Sequence, residues 1–129
     1  AFRAIKGDAS SQRIENRLPG ADSNPYLALA ATLGAGFLGI KEKIKPTKET
    51  KGGAYDLKVE KKYQVPKNLG EAAHLFKNSQ SAKDLFGVDF VNHFANTRIW
   101  EYKEFQKNRS FLESSAISPW ELKRYFEII

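Results

Sequence analysis

The chain has 129 residues, of which 41% are hydrophobic and 28% charged, carries a formal charge of +6, and contains neither cysteine nor methionine. That balance excludes an intrinsically disordered chain and suits one soluble globular piece with a modest core. The missing cysteines exclude a disulfide framework and a thiolate zinc site, and leave the cytoplasm as the expected compartment.

Without a methionine, Ala1 is not a retained initiator, and Ala1-Phe2-Arg3 reads as the cut end of a longer protein. Residues 1–11 close on Asp8-Ala9-Ser10-Ser11, a polar cluster prone to turn. A strand is predicted over 12–18. Side chains alternate along a strand, so Arg13, Glu15 and Arg17 share one face while Ile14, Asn16 and Leu18 share the other. Neighbours on one face lie about 6.5–7 Å apart. The two guanidinium groups and the carboxylate between them therefore form either a surface charge ladder or a cluster that converges on a polyanionic, metal-bearing ligand.

Pro19-Gly20 ends this strand, and Asn24 then offers an N-cap with Pro25 at the first helical position, where a missing N–H costs nothing. A helix is predicted over 25–43. It is apolar nearly all round, through Tyr26, Leu27, Leu29, Ala30, Leu33, Phe37, Leu38 and Ile40, which predicts a buried central helix. The apolar run from Tyr26 to Ile40 is broken by three glycines and falls short of the ~20 residues of a membrane span, so no membrane partner is expected.

Most of the positive charge is local, because Lys41 to Lys67 holds nine lysines against four acidic residues. A nucleic-acid surface interleaves arginine and aromatic residues on one element. Here lysines are scattered among Pro46, Gly52, Gly53 and Pro66, which predicts a solvated loop over 44–67, with a short extended piece at 55–59 and no nucleic-acid partner.

A helical subdomain is predicted over 68–129. One helix starts at Asn68-Leu69-Gly70-Glu71 and carries Leu69, Ala72, Ala73, Leu75 and Phe76; a second runs from Ser79 to Phe86 and is closed by Gly87. A third runs from Val88 to Asn108, with Phe90, Val91, Phe94, Ala95, Ile99, Tyr102 and Phe105 on one stripe. Ser118-Pro119-Trp120-Glu121 spells a capping box for a last helix whose buried face is Leu122, Tyr125, Phe126 and Ile129. Glu71 and His74 have the spacing of half a two-metal motif, but no second half exists, and both read as surface residues; His93 reads as a packed or surface residue.

The run Arg13-Ile14-Glu15-Asn16-Arg17-Leu18-Pro19-Gly20-Ala21-Asp22-Ser23-Asn24-Pro25-Tyr26-Leu27-Ala28, followed by Gly36-Phe37-Leu38-Gly39-Ile40-Lys41-Glu42-Lys43-Ile44, resembles the glutamine synthetase family in the C-terminal part of its catalytic domain. The closing Trp120-Glu121-Leu122-Lys123-Arg124-Tyr125 resembles the glutamine synthetase-like and γ-glutamylpolyamine synthetase branches. The resemblance implies an α+β fold, this segment being mostly α-helical with one or two N-terminal strands.

The implied reaction is the joining of glutamate to ammonia or another amine: ATP phosphorylates the γ-carboxylate, and the amine displaces phosphate from the γ-glutamyl phosphate. Glu15 matches the family's metal-ligand glutamate, for Mg²⁺ or Mn²⁺. Arg17 matches the arginine that meets the glutamate carboxylate and the phosphoryl being transferred, Arg13 one that faces the nucleotide, and Arg3 a further phosphate-contacting arginine. The family's other metal ligands precede this segment, so it is expected to be inactive alone and monomeric, though the full-length protein forms a homo-oligomer. A γ-glutamylpolyamine synthetase and a catalytically silent relative resembling the lens protein lengsin are the alternatives. Ala54-Tyr55-Asp56-Leu57 resembles a loop that some bacterial members adenylylate on tyrosine, but Lys58-Val59 replaces the prolines usual there, and Tyr55 reads as a core or loop aromatic.

Overall fold

The computed structural model describes residues 2–50, 58–108 and 117–126. They fall into two compact units, residues 1–50 and 51–129. Among the described residues the fold is mostly helical, with one two-stranded antiparallel sheet.

In the first unit, β1 (Phe2–Ile5) and β2 (Arg13–Asn16) form a hairpin in the register Phe2 to Asn16, Arg3 to Glu15, Ala4 to Ile14 and Ile5 to Arg13. The strand predicted over 12–18 is thus shorter, and residues 2–5 supply its partner. Asp8 builds the connecting turn. Its Oδ1 accepts from the backbone N–H of Ser10 and Ser11 at 3.1 and 2.9 Å and from their hydroxyls at 2.7 and 2.8 Å. These four bonds favour the charged form and hold the Asp8 carboxyl below its ordinary value.

Helix α1 (Pro25–Lys41) begins as the sequence predicts: Asn24 Oδ1 accepts from Tyr26 N at 3.0 Å and Leu27 N at 3.1 Å, with Pro25 at the first position. It ends two residues before 43. There Lys43 N–H bonds Ile40 O at 3.2 Å and Ile44 N–H bonds Gly39 O at 2.9 Å, a Schellman closure that sets Lys43 at φ 53°. The expected burial of this helix is not found: none of its residues is buried, and Tyr26, Leu33 and Ile40 are 82, 71 and 80% exposed. A helix apolar all round needs neighbours on every side, and among the described residues only the hairpin bonds to it through a side chain.

Among its described residues the lysine-rich stretch forms a 3₁₀ turn at Lys61–Tyr63, and those from 42 to 67 are exposed. Residues 58–60 carry no strand, and Tyr55, with the rest of the expected extended piece, lies outside the described residues, as does Ile129.

The second unit packs α2 (Leu69–Asn78), α3 (Gln80–Phe86) and α5 (Pro119–Tyr125) on α4 (Val88–Asn108). Each shorter helix opens on a side-chain cap. Asn68 Oδ1 accepts from Glu71 N, Ser79 Oγ from Ala82 N and Ser118 Oγ from Glu121 N, and Glu121 Oε2 returns a bond to Ser118 N at 2.7 Å. Gly87, at φ 82°, closes α3 through Lys83 O and opens α4, its own carbonyl accepting from Val91 N. Ala73, Ala82, Val91 and Ala95 form the buried centre. Beside them Phe76, Phe86, Phe90 and Phe94 pack with ring centroids 5.7–6.2 Å apart. A Cβ at Gly70 would stand 2.5 Å from Tyr102 Cδ1, so α2 approaches α4 closely only because residue 70 has no side chain.

The predicted stripe of α4 is in place, but it also carries Glu101, buried at 7% exposure. On α5 the predicted face is wrong in part. Leu122 and Phe126 are 51 and 81% exposed, whereas Trp120 packs against Phe105 and Tyr125. The helix is anchored instead by Arg124 and Tyr125 bonding Glu101. Among the described residues no helix is long and apolar enough to cross a membrane.

Candidate functional site

The antiparallel register sets Arg3 directly across from Glu15. The cross-strand pair and Arg17, the first residue past β2, therefore meet about one carboxylate. Arg17 Nε donates to Glu15 Oε1 at 2.6 Å, and Arg3 Nη1 lies 3.8 Å from Glu15 Oε2. The Arg17 hydrogen bond is the largest influence on the Glu15 carboxyl, followed among the stabilising ones by the charges of Arg17, Arg3 and Arg13, and together they hold it below the ordinary carboxylate range. Glu15 is half-buried, while the side chains of Arg3 and Arg17 are 63 and 55% exposed. The result is an ionised carboxylate at the centre of an excess of positive charge, open to an incoming anion.

Arg13 does not converge with the other two. Its Nη1 donates to Ser11 O at 3.0 Å and so braces the turn that Asp8 organises. The period-two pattern places Arg13 on the correct face, but a local carbonyl within reach captures its guanidinium. Arg3, ten residues upstream, joins the cluster through strand pairing, a relationship that alternation within β2 alone does not reveal.

Ile14 and Asn16 occupy the opposite face, and Leu18 lies two residues past the end of β2. Ile14 and Leu18 are 73 and 53% exposed, and Asn16 turns to α1, where its Nδ2 donates to Thr32 Oγ1 at 2.9 Å. This contact, which ties the hairpin to the helix, has no motif in the sequence.

As a ligand set for a divalent cation the cluster is incomplete. Among the described residues no three His, Cys, Asp or Glu side chains gather. Glu15 suits such an ion as one hard oxygen donor. Its carboxylate is ionised, and Oε2 stands beyond hydrogen-bonding range of Arg3, which leaves it lone pairs to give. The Glu71 and His74 pair is no second site: Glu71 Oε2 accepts from Lys67 N at 2.9 Å as part of the α2 cap, and His74 is exposed, as is His93. A groove of about 680 Å³ between α2 and α4, lined by Glu71, His74, Tyr102 and Lys103, holds none of the clustered arginines.

Residues 1–125 match the family model described as the glutamine synthetase catalytic domain. The chain is 41% identical over 129 residues to a glutamate–isopropylamine ligase from a Pseudomonas species, a match that covers all of this chain and 26% of that protein. It is 39% identical over 131 residues to type-1 glutamine synthetase 2 of Dictyostelium discoideum, covering 100% of this chain and 23% of the relative. It is also 39% identical over 127 residues to a γ-glutamylethanolamide synthetase of Streptomyces coelicolor, covering 98 and 25%. The chain thus spans about a quarter of the length of these relatives. A hairpin that gathers arginines about one carboxylate, on a sequence matched from end to end in this way, belongs to the catalytic domain of the glutamine synthetase family.

Proposed function

We propose that the chain forms one wall of the active site of an ATP-dependent ligase that joins glutamate to ammonia or an amine. The observation that carries this reading is the Arg3, Glu15 and Arg17 cluster on the hairpin of a chain in this family.

In this reading Glu15 is one ligand of Mg²⁺ or Mn²⁺. Such an ion, when bound, offsets the charge of a phosphoryl group in transfer. Arg17 receives the glutamate carboxylate and the phosphoryl group that moves onto it, and Arg3 and Arg13 contact nucleotide phosphates. Each task suits a planar guanidinium, which can offer two parallel N–H groups to one anion. Arg13 must exchange its bond to Ser11 O for a phosphate oxygen to take part. Phosphorylation turns the γ-carboxylate into an acyl phosphate, and the amine displaces phosphate from it.

Two relatives, named as an isopropylamine ligase and an ethanolamide synthetase, support an amine as acceptor beside ammonia, and a γ-glutamylpolyamine synthetase falls within the same range. The presence of Arg13, Glu15 and Arg17 together favours an active ligase over a silent structural relative. One carboxylate does not hold a catalytic cation, so the chain on its own is inactive, and the working enzyme is a cytoplasmic homo-oligomer of a longer protein in which this chain is the C-terminal piece of the catalytic domain.

The deciding experiment measures glutamate- and amine-dependent ADP release by the full-length protein and its Glu15→Ala variant. A fall of more than about 100-fold is expected. Turnover near the parent level in the variant defeats the assignment.

A further inference from the structure

Asn16 stands between Glu15 and Arg17 in sequence and faces away from both. Its Nδ2 donates to Thr32 Oγ1 at 2.9 Å, and its Oδ1 accepts from Leu18 N at 3.1 Å. Thr32 Oγ1 donates in turn to Ala28 O, one helical turn back, at 2.7 Å. A hydroxyl has a single hydrogen. Ala28 O takes it, so the Thr32 oxygen meets Asn16 as an acceptor and requires the amide nitrogen there. The Leu18 N–H requires the amide oxygen at the other end. Both ends of the Asn16 amide are thereby fixed in one orientation.

Among the described residues this is the one side-chain hydrogen bond between the hairpin and α1, and both of its residues are half-buried. The ladder bonds of β2 run to β1 alone. They hold the two strands to each other but leave the hairpin as a whole to pivot on the helix.

We infer that Asn16 and Thr32 are a positioning pair that fixes the roll of β2 against α1 and so aims Glu15 and Arg17. The inference rests on the proposed role of Glu15 as a metal ligand. Glu15 points to the face opposite Asn16, and Arg17 follows Asn16 directly, so a roll that follows loss of the bond at residue 16 swings residues 15 and 17 together. Groups that orient a metal ligand are worth about 10–100-fold in metal affinity or activity. Neither Asn16 nor Thr32 touches the reacting atoms in this reading; they act through the strand.

The test is Mn²⁺ binding by the full-length protein, followed by the electron paramagnetic resonance of free Mn²⁺, with no turnover required. Thr32→Val keeps the shape and removes the acceptor, and is expected to weaken Mn²⁺ binding about 10-fold. Thr32→Ser keeps the oxygen and retains the parent affinity. Asn16→Ala removes the same bond from the hairpin side, together with the one from Leu18 N, and is expected to weaken binding at least as much, so the inference is still tested if the valine variant does not fold. The Asn16→Ala, Thr32→Val double variant binds no more weakly than Asn16→Ala alone, because the bond between the two residues is lost once. Parent-like affinity in folded Thr32→Val or Asn16→Ala, beside weakened binding in Glu15→Ala, overturns the positioning role. Parent-like affinity in Glu15→Ala overturns the metal reading and the inference with it.

Discussion

Arg124 on α5 grips Glu101 on α4 with two parallel bonds, Nε to Oε1 and Nη2 to Oε2, each 2.9 Å. Tyr125 adds its hydroxyl to Oε1 at 2.5 Å, and Arg124 also lies over the Trp100 ring, 5.7 Å from its centroid. Glu101→Ala removes the common acceptor of two donors from a site that is 7% exposed. Loss of one partner of a fully buried pair costs about 3–5 kcal/mol; the Arg124 side chain is 42% exposed and recovers part of its hydration, so about 2 kcal/mol is expected. Urea unfolding followed by tryptophan fluorescence checks this, since Trp100 and Trp120 border the pair.

The same pair sets an acid limit. Chiefly through the Arg124 hydrogen bond and then that of Tyr125, the Glu101 carboxyl is lowered to about 2 from an ordinary 4.5. The unfolded chain thus takes up this proton more readily than the folded one, and the stabilisation is full above pH 4.5 and is lost as pH falls toward 2. Tyr125 marks the alkaline side: burial, then the Glu101 carboxylate, push its hydroxyl up to about 12 from 10.0, so its contribution is full below pH 10 and declines as pH rises to 12. Unfolding midpoints across this range are expected to drop at both ends. Glu101→Gln is expected to flatten the acid arm.

Gly87 combines φ 82° with ψ 150°, a region closed to residues with a Cβ, while serving both α3 and α4. Nothing crowds the position, so Gly87→Ala isolates the backbone strain. A loss of about 1–3 kcal/mol is expected, read as a lower thermal midpoint.

Lys43 is the converse case, a side chain held at φ 53° where glycine is the usual closing residue. Relief of left-handed strain, about 1–2 kcal/mol, outweighs the extra chain entropy of glycine, about 0.5–1 kcal/mol. Lys43→Gly is therefore expected to raise stability by about 0.5 kcal/mol, measured by urea titration.

Local rules account for what was legible in the sequence. Asn24 with Pro25, Ser118 with Glu121, and Gly87 each carry their chemistry within four residues, and all three act at the predicted helix ends. Relationships across the chain were not legible. Glu101 sits beside hydrophobic neighbours as a charged residue that a helical pattern assigns to solvent, and its partners are 23 and 24 positions away. Alternation over the strand predicted at 12–18 placed three charges on one face, yet the register of β2 with β1 and the pull of Ser11 O decided that Arg3 and Arg17, rather than Arg13, crowd Glu15. For α1 the composition signalled burial, which depends on neighbours that the helix's own sequence does not specify.

Gly70 beneath the Tyr102 ring also acts as an index mark. If α2 slid along α4 by one helical turn, Ala73 or His74 would come under that ring, and each has a Cβ where Gly70 shows a gap only wide enough for hydrogen. Two smooth helical surfaces could meet at several offsets; this pair has one.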